Sequence, residues 1–183
     1  VFAEVARLFP SPYIHIGGDE CYKGFWEKCP KCKMRMQKEH LKNLEELQSY
    51  FVKRVAAMVQ KRGKQVIGWD EILEGGLAPE AIVKSWRGMK GGIEAAKQGH
   101  SVIMTPTDHC YLDFYQGDPT VEPNTYSMLR LQDCYKYQLI PDSVDASLIM
   151  GGQGNLWTES VPHYRQVEYM IWPRALAISE TLW

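Results

Sequence analysis

The chain has 183 residues, a formal net charge of −1 and 23% charged residues of both signs. That balance excludes the basic stripe of a nucleic-acid binder and the acidic run of a disordered tail. Hydrophobic content is 45%, with no apolar run of membrane-spanning length, so one globular domain with a sizeable core is expected. The N-terminus shows no signal-peptide pattern, and a chain starting at Val1 reads as cut from a longer one.

Phe2, Val5, Ala6 and Phe9 recur at helical spacing, and Pro10 and Pro12 stop that helix. Tyr13–Ile16 is a short apolar run of β-formers, the first predicted strand. Gly17 and Gly18 follow, and then two carboxylates, Asp19 and Glu20, where a strand runs out into a loop. Cys21 to Lys33 reads as a loop rich in Cys, Pro and Gly. A long helix is expected from Met34 to Arg62, broken near His40–Asn43, with Leu44, Leu47, Phe51, Val55 and Met58 as its apolar face and Gly63 as its cap.

The second strand, Gln65–Gly68, leads into Trp69-Asp70-Glu71, and the third, Ala81–Lys84, into Ser85-Trp86-Arg87-Gly88. A short helix over Gly92–Gln98 precedes the fourth strand, Ser101–Met104, whose end leads toward Tyr111-Leu112-Asp113. Gln116 to Asp145 is polar and Pro-rich, a loop with short helical pieces. The fifth strand, Leu148–Met150, leads into Gly151-Gly152-Gln153-Gly154-Asn155-Leu156-Trp157-Thr158-Glu159. A last helix covers Gln166 to Leu182, kinked or restarted at Pro173.

The five Cys cannot all pair within one chain. Cys29-Pro30-Lys31-Cys32 is a C-x-x-C with Cys21 nearby. Zinc would need a fourth ligand, for which His40 is the nearest candidate, and redox chemistry lacks a thioredoxin-like sequence context. A local structural role, as thiols or as a Cys29–Cys32 link, is expected, with no metal and no cofactor.

Strands alternating with helices imply an α/β fold with parallel pairing and right-handed crossovers. Every strand ends in aromatic, acidic or Gly-rich residues, which fits a TIM-type (β/α)8 barrel, whose catalytic groups come from several strand ends. An open doubly wound sheet is the runner-up. Such a barrel takes about 250 residues, so residues 1–183 are expected to be part of one catalytic domain, supplying the last five strand-helix units. Three upstream strands, or a second copy, would complete it.

A carboxylate pair at a strand end suits cleavage of a glycosidic bond, one acid protonating the leaving oxygen and an ionised partner stabilising positive charge on the sugar. Such an acid needs a partly apolar pocket beside the other carboxylate, since both raise its pKa. Asp70-Glu71 is a rival pair, ranked second because no Gly-Gly turn precedes it. Six Trp and ten Tyr supply faces for a sugar ring, although many will be core.

Tyr13-Ile14-His15-Ile16-Gly17-Gly18-Asp19-Glu20 resembles the catalytic motif of the family 20 glycoside hydrolases, the β-N-acetylhexosaminidases. The Trp69, Trp86, Tyr111-Leu112-Asp113, Gly151–Glu159 and Trp172-Pro173-Arg174 segments follow in the family's order, so the resemblance covers nearly the whole chain and is nearest to bacterial members. It implies removal of terminal β-linked N-acetylglucosamine or N-acetylgalactosamine by substrate-assisted retention. Glu20 would be the acid and then the base. Asp19 would orient the acetamido N–H. Tyr111 would bond the acetamido oxygen, Trp69, Trp86 and Trp157 would wall the sugar, and Asp113 and Glu159 would hold its outer hydroxyls. His15 would stand behind the carboxylates.

The resemblance further implies N-acetylhexosamine-containing glycans as partners and a periplasmic or extracellular location. It also implies a sugar-gripping arginine on the first barrel strand, which this chain lacks. The alternative is a non-catalytic or incomplete sugar-binding module of the same fold. Each residue also has a plainer reading: Trp86 and Trp157 as core, His15 as a satisfied core histidine, Tyr111 as packing, Asp113 as a loop acid, and Arg174 and Glu180 as structural.

Overall fold

The computed structural model describes residues 1–183. It divides into two compact units, Val1–Lys84 with Gln98–Ser101, and Ser85–Lys97 with Val102–Trp183.

The first unit begins with α1 (Phe2–Leu8) and β1 (Tyr13–His15). The stretch expected as a loop holds α2 (Gly24–Lys28) and the first turn of α3 (Pro30–Lys38); from Met34 on, α3 is the first piece of the expected long helix and α4 (Leu44–Gln60) is the second. Pro30 explains the earlier start of α3, because its fixed φ suits a first helical position and its missing N–H has no partner there. The break falls where the spacing placed it. His40 adopts φ 55°, and Asn43 caps α4 by accepting from the Glu46 N–H at 2.9 Å.

The buried face of α4 differs from the expected one. Leu47, Val52, Val55 and Val59 are buried, whereas Phe51 and Met58 lie on the exposed side. Leu47 and Val55 belong to both possible stripes, so periodicity alone could not choose between them.

Strands β2 (Gln65–Trp69) and β3 (Ile82–Ser85) complete this unit, with Ser85 opening the next. All pairing is parallel: His15 lies opposite Ile67, Ile67 opposite Ile82, and Trp69 opposite Lys84. Side chains alternate along a strand, so this register puts His15, Trp69 and Lys84 on one face and Val66 and Val83 on the other. The second face packs toward α4, where Val66 and Val83 are buried. Each such valine contributes about 1.5–3 kcal/mol.

The second unit contains α5 (Lys90–Lys97), β4 (Val102–Met104), α6 (Thr107–Cys110) and α7 (Leu131–Tyr135). It continues with β5 (Ile149–Gly152), α8 (Tyr164–Ile171) and α9 (Arg174–Leu182). β4 and β5 are parallel, with a bulge between Val102 and Ile103. Pro173 separates α8 from α9 and caps the latter, so the closing helix restarts there instead of kinking. Leu112, Phe114, Leu129, Cys134, Ala177 and Ile178 form the core.

Arg174 is fully buried within this core. Its guanidinium donates to four carbonyls, those of Phe114 (2.9 Å), Leu129 (2.9 Å), Leu112 (2.5 Å) and Met170 (2.6 Å). A planar cation with five donors suits this task, because loop carbonyls that leave water must find partners.

Candidate active site

The carboxylate pair is presented by a turn that only glycine can begin. Gly17 and Gly18 adopt φ 74° and 103°, and a Cβ on Gly18 would lie 2.6 Å from Ile72 Cγ2. Glu20 itself sits at φ 44°, a left-handed conformation that costs a side-chain-bearing residue about 1–2 kcal/mol. Pleating therefore ends at Ile16, and Asp19 and Glu20 escape the opposite-face rule of a regular strand.

Three bonds hold the turn. The Gly17 N–H donates to His15 Nδ1 (3.1 Å), the Trp69 N–H to the Gly17 carbonyl (3.0 Å), and Gln48 Nε2 of α4 to the Gly18 carbonyl (2.7 Å). Asp19 and Glu20 are exposed. The apolar enclosure expected around Glu20 is not formed by the residues of its own unit.

Beneath the turn, the shared face of β1, β2 and β3 carries three large side chains. The His15 and Trp69 rings meet edge to face at 5.0 Å, and Lys84 Nζ lies 5.0 Å from the Trp69 ring centre. Desolvation, and then the Lys84 charge, push the His15 pKa down to about 4, against a smaller opposing pull from Asp19. The imidazole is neutral at ordinary pH, as its acceptor role toward Gly17 requires. Burial also lowers the Lys84 pKa. Asp70 and Glu71 are buried in a 3₁₀ turn, which suits loop-supporting carboxylates better than a proton donor open to substrate.

The second unit gathers the aromatic candidates. Tyr111 is buried and stacks on Trp86, with ring centres 6.2 Å apart and planes 24° apart. Trp157 stands 6.5 Å from the same Tyr111 ring and is 42% exposed. Trp86 is only partly buried, and neither tryptophan is plain core.

Asp113 lies close by in sequence and is buried, with Oδ1 lacking a protein partner. Burial raises its pKa to about 6. Backbone N–H groups of Asp113 and Trp157 and the Arg174 charge pull the other way, and Glu159 adds to the rise. A buried acceptor with an unused oxygen is what a ligand hydroxyl can satisfy. Glu159 is exposed.

Sequence reading missed the groups that position these side chains. Lys84 reads as an ordinary strand residue, and only the β2–β3 register shows it beneath Trp69. Asn155 is buried, donates to Thr105 Oγ1 (2.7 Å) and accepts from Gln153 Nε2. Its backbone pairs on both sides of Tyr111, with the Cys110 carbonyl at 2.8 Å and the Leu112 N–H at 2.6 Å. The polar run Gln153–Asn155 was the available signal, since buried amides are rare without such work.

Cys21, Cys29, Cys32 and His40 do not gather into a group of three or more side chains that could hold a metal ion. A cavity of about 310 Å³ lies beside α4, lined by Lys53, Lys64, Gln65, Pro79 and Glu80. It adjoins the start of β2, whereas parallel-strand enzymes work at the strands' C-terminal ends.

The model of the glycosyl hydrolase family 20 catalytic domain matches residues 1–183. A β-hexosaminidase of Porphyromonas gingivalis is 50% identical over all of this chain, which spans 24% of that protein. One from Vibrio furnissii is 32% identical over 98% of the chain and 30% of its own length. Among solved structures, the β-N-acetylhexosaminidase of Bacteroides fragilis superposes with TM-score 0.87 at 30% identity, covering 100% of this chain and 38% of that one. The Vibrio harveyi exo-β-N-acetylglucosaminidase, solved with N-acetylglucosamine, superposes with TM-score 0.86 at 31% identity, over 100% of this chain and 30% of that one. The chain thus spans about a quarter to two fifths of these relatives, and its parallel strands and helices are part of a TIM-type barrel.

Proposed function

The chain belongs to glycosyl hydrolase family 20, and from that premise we propose that its parent protein removes terminal, non-reducing β-linked N-acetylglucosamine or N-acetylgalactosamine by substrate-assisted retention. The observation that carries this reading is the Gly17-Gly18 turn, which delivers two adjacent carboxylates past the end of β1.

In the first step the substrate's acetamido oxygen attacks the anomeric carbon. The glycosidic bond breaks, and its oxygen takes the proton of Glu20. The C1–O bond closes an oxazolinium ring, and Asp19 accepts from the acetamido N–H and offsets the positive charge. In the second step Glu20, now ionised, takes a proton from water as that water attacks C1 and reopens the ring. The stereochemistry at C1 is retained through two inversions. A neutral His15 fixes the turn without adding a positive charge that would hold Glu20 ionised.

Tyr111 donates to the acetamido oxygen, and its packing against Trp86 and Trp157 supports that placement. Trp69 and Trp157 stack on the sugar. Asp113 and Glu159 accept from its outer hydroxyls, and the unused Asp113 Oδ1 supports the first of these roles. The parent protein is proposed to be exported, to the periplasm or the exterior, and to act on N-acetylhexosamine-containing glycans.

The test compares hydrolysis of a nitrophenyl N-acetylglucosaminide and the matching glucoside by the full-length protein, with Glu20→Gln alongside. Cleavage of the acetamido substrate alone, with kcat about a hundredfold lower in the variant, is the expected outcome. Equal cleavage of the plain glucoside overturns substrate assistance, and an unaffected variant overturns the assignment of Glu20.

A further inference from the structure

The β1–α4 connection carries a second reactive group besides the carboxylates. Cys29 is the N-cap residue of α3 and Cys32 lies in its first turn, with Pro30 at the first helical position. Both thiols are free and half-buried. Cys29 closes no capping hydrogen bond; the Cys32 backbone and thiol, and then Lys31, hold its thiol below the usual range. The Cys32 thiol is raised in return, by donating to Cys29. Lys28 and Lys33 are exposed on either side of the pair.

An acidified thiol at a helix N-terminus, with its partner one turn on, is the arrangement of an attacking and a resolving cysteine. The structure supplies the context that the sequence lacked. Cys110 and Cys134 show the opposite chemistry. Both are buried in the second unit, and burial pushes their thiols up to about 12 and about 11.

We propose that Cys29 and Cys32 form a redox site that exchanges with disulfides, Cys29 attacking and Cys32 resolving. The Cys29 thiolate attacks one sulfur of R–S–S–R, that bond breaks, and the electron pair leaves on the first thiolate, RS⁻. Cys32 then loses its proton and attacks the Cys29 sulfur. The Cys29–Cys32 bond forms and the second RS⁻ departs. The two protons shed by the cysteines end on the two RS⁻, so the protein dithiol is oxidised and the external disulfide is reduced to two thiols.

Residues three apart on a helix have Cβ atoms about 5–6 Å apart, against about 3.5–4.5 Å in a disulfide. A shift of the first turn that brings the two Cβ atoms about 1–2 Å closer closes the bond. Closure staples the start of α3, in the connection that begins at Asp19 and Glu20. In that connection Lys23 reaches Glu74 (3.4 Å) and Glu45 (4.0 Å), and Arg35 of α3 and Glu39 at its C-cap bond to Tyr50 of α4 (3.3 and 3.2 Å).

The experiment equilibrates the full-length reduced protein with buffers of increasing oxidised-to-reduced glutathione, quenches with acid, alkylates and maps the peptides by mass. The wild type should lose two hydrogens within the Cys29–Cys32 peptide as the ratio rises. Cys32→Ser should trap glutathione on Cys29, while Cys29→Ser should take it up at Cys32 about three- to tenfold more slowly. Circular dichroism confirms that both variants are folded. A wild type that remains a dithiol, or that stops at a mixed disulfide, overturns the proposal. Equal rates in the two variants overturn the assignment of Cys29 as the attacking thiol.

Discussion

The two units hold their candidate residues by opposite means. In the first, Asp19 and Glu20 are exposed, and what fixes them is backbone: two glycines and Glu20 itself in left-handed conformations, with three hydrogen bonds to the turn. In the second, Tyr111 and Asp113 are buried, and what fixes them is a desolvated cation: Arg174 gathers the carbonyls of Leu112, Phe114 and Leu129 around them. The contrast follows the proposed tasks. A group that exchanges protons with substrate and water has to stay reachable, so its support lies in the chain beneath it. A group that grips hydroxyls or an amide gains from low dielectric and can be set into a core.

The sharpest way to break this comparison is Arg174→Met. It deletes four charge-assisted hydrogen bonds and leaves their carbonyls buried, so a loss of about 3–5 kcal/mol is expected in urea unfolding of the full-length protein. A loss below about 1 kcal/mol would mean that the second unit does not depend on its buried cation. Gly18→Ala attacks the first unit's device. The φ of 103° and the 2.6 Å approach to Ile72 predict a cost of about 1–3 kcal/mol, together with a fall in kcat that exceeds any change in KM. An alanine variant with unchanged kcat would show that the turn's exact path does not set the carboxylates.

Asp113→Asn tests the grip. Replacing the acceptor should raise KM about tenfold with a smaller effect on kcat. Because the Asp113 pKa is raised to about 6, the wild-type KM should rise as pH falls through that value and the asparagine variant should lose this dependence. The stability effect has the opposite sense. The folded state holds the Asp113 proton more tightly than the unfolded state, so this group's contribution to stability declines as pH rises from 3.8 to about 6.

The smallest effect is expected from His15. Its pKa is depressed from 6.5 to about 4, so the unfolded state binds the proton more tightly, and stability falls as pH drops through that window. His15→Gln should flatten that slope while leaving stability at pH 8 within about 1 kcal/mol. An unchanged slope would show that His15 is not held neutral by its surroundings.

The strands were legible within a residue or two: Tyr13–Ile16 is observed as Tyr13–His15, and Ala81–Lys84 as Ile82–Ser85. Each is a short run that Gly, Trp or Pro closes within two residues, and such punctuation is local. The face of α4 was not legible, because two overlapping apolar stripes compete and only packing against β2 selects Val52 and Val59 over Phe51 and Met58. Helix α2 and the first turn of α3 were hidden in a stretch whose Gly, Pro and Cys read as loop, although Pro30 is the residue that starts α3.

The sequence alone determined the order of the elements, the Gly-Gly turn with its two acids, and the family these motifs mark, since all depend on neighbours along the chain. Tertiary structure decided what each group is in chemical terms. Lys84 came beneath Trp69 through the strand register, and Asp113 was raised by burial among residues far along the chain. Cys29 was placed at the start of a helix whose first turn reads as loop in the sequence. Burial and through-space charge set these properties, and neither is written in the spacing of residues.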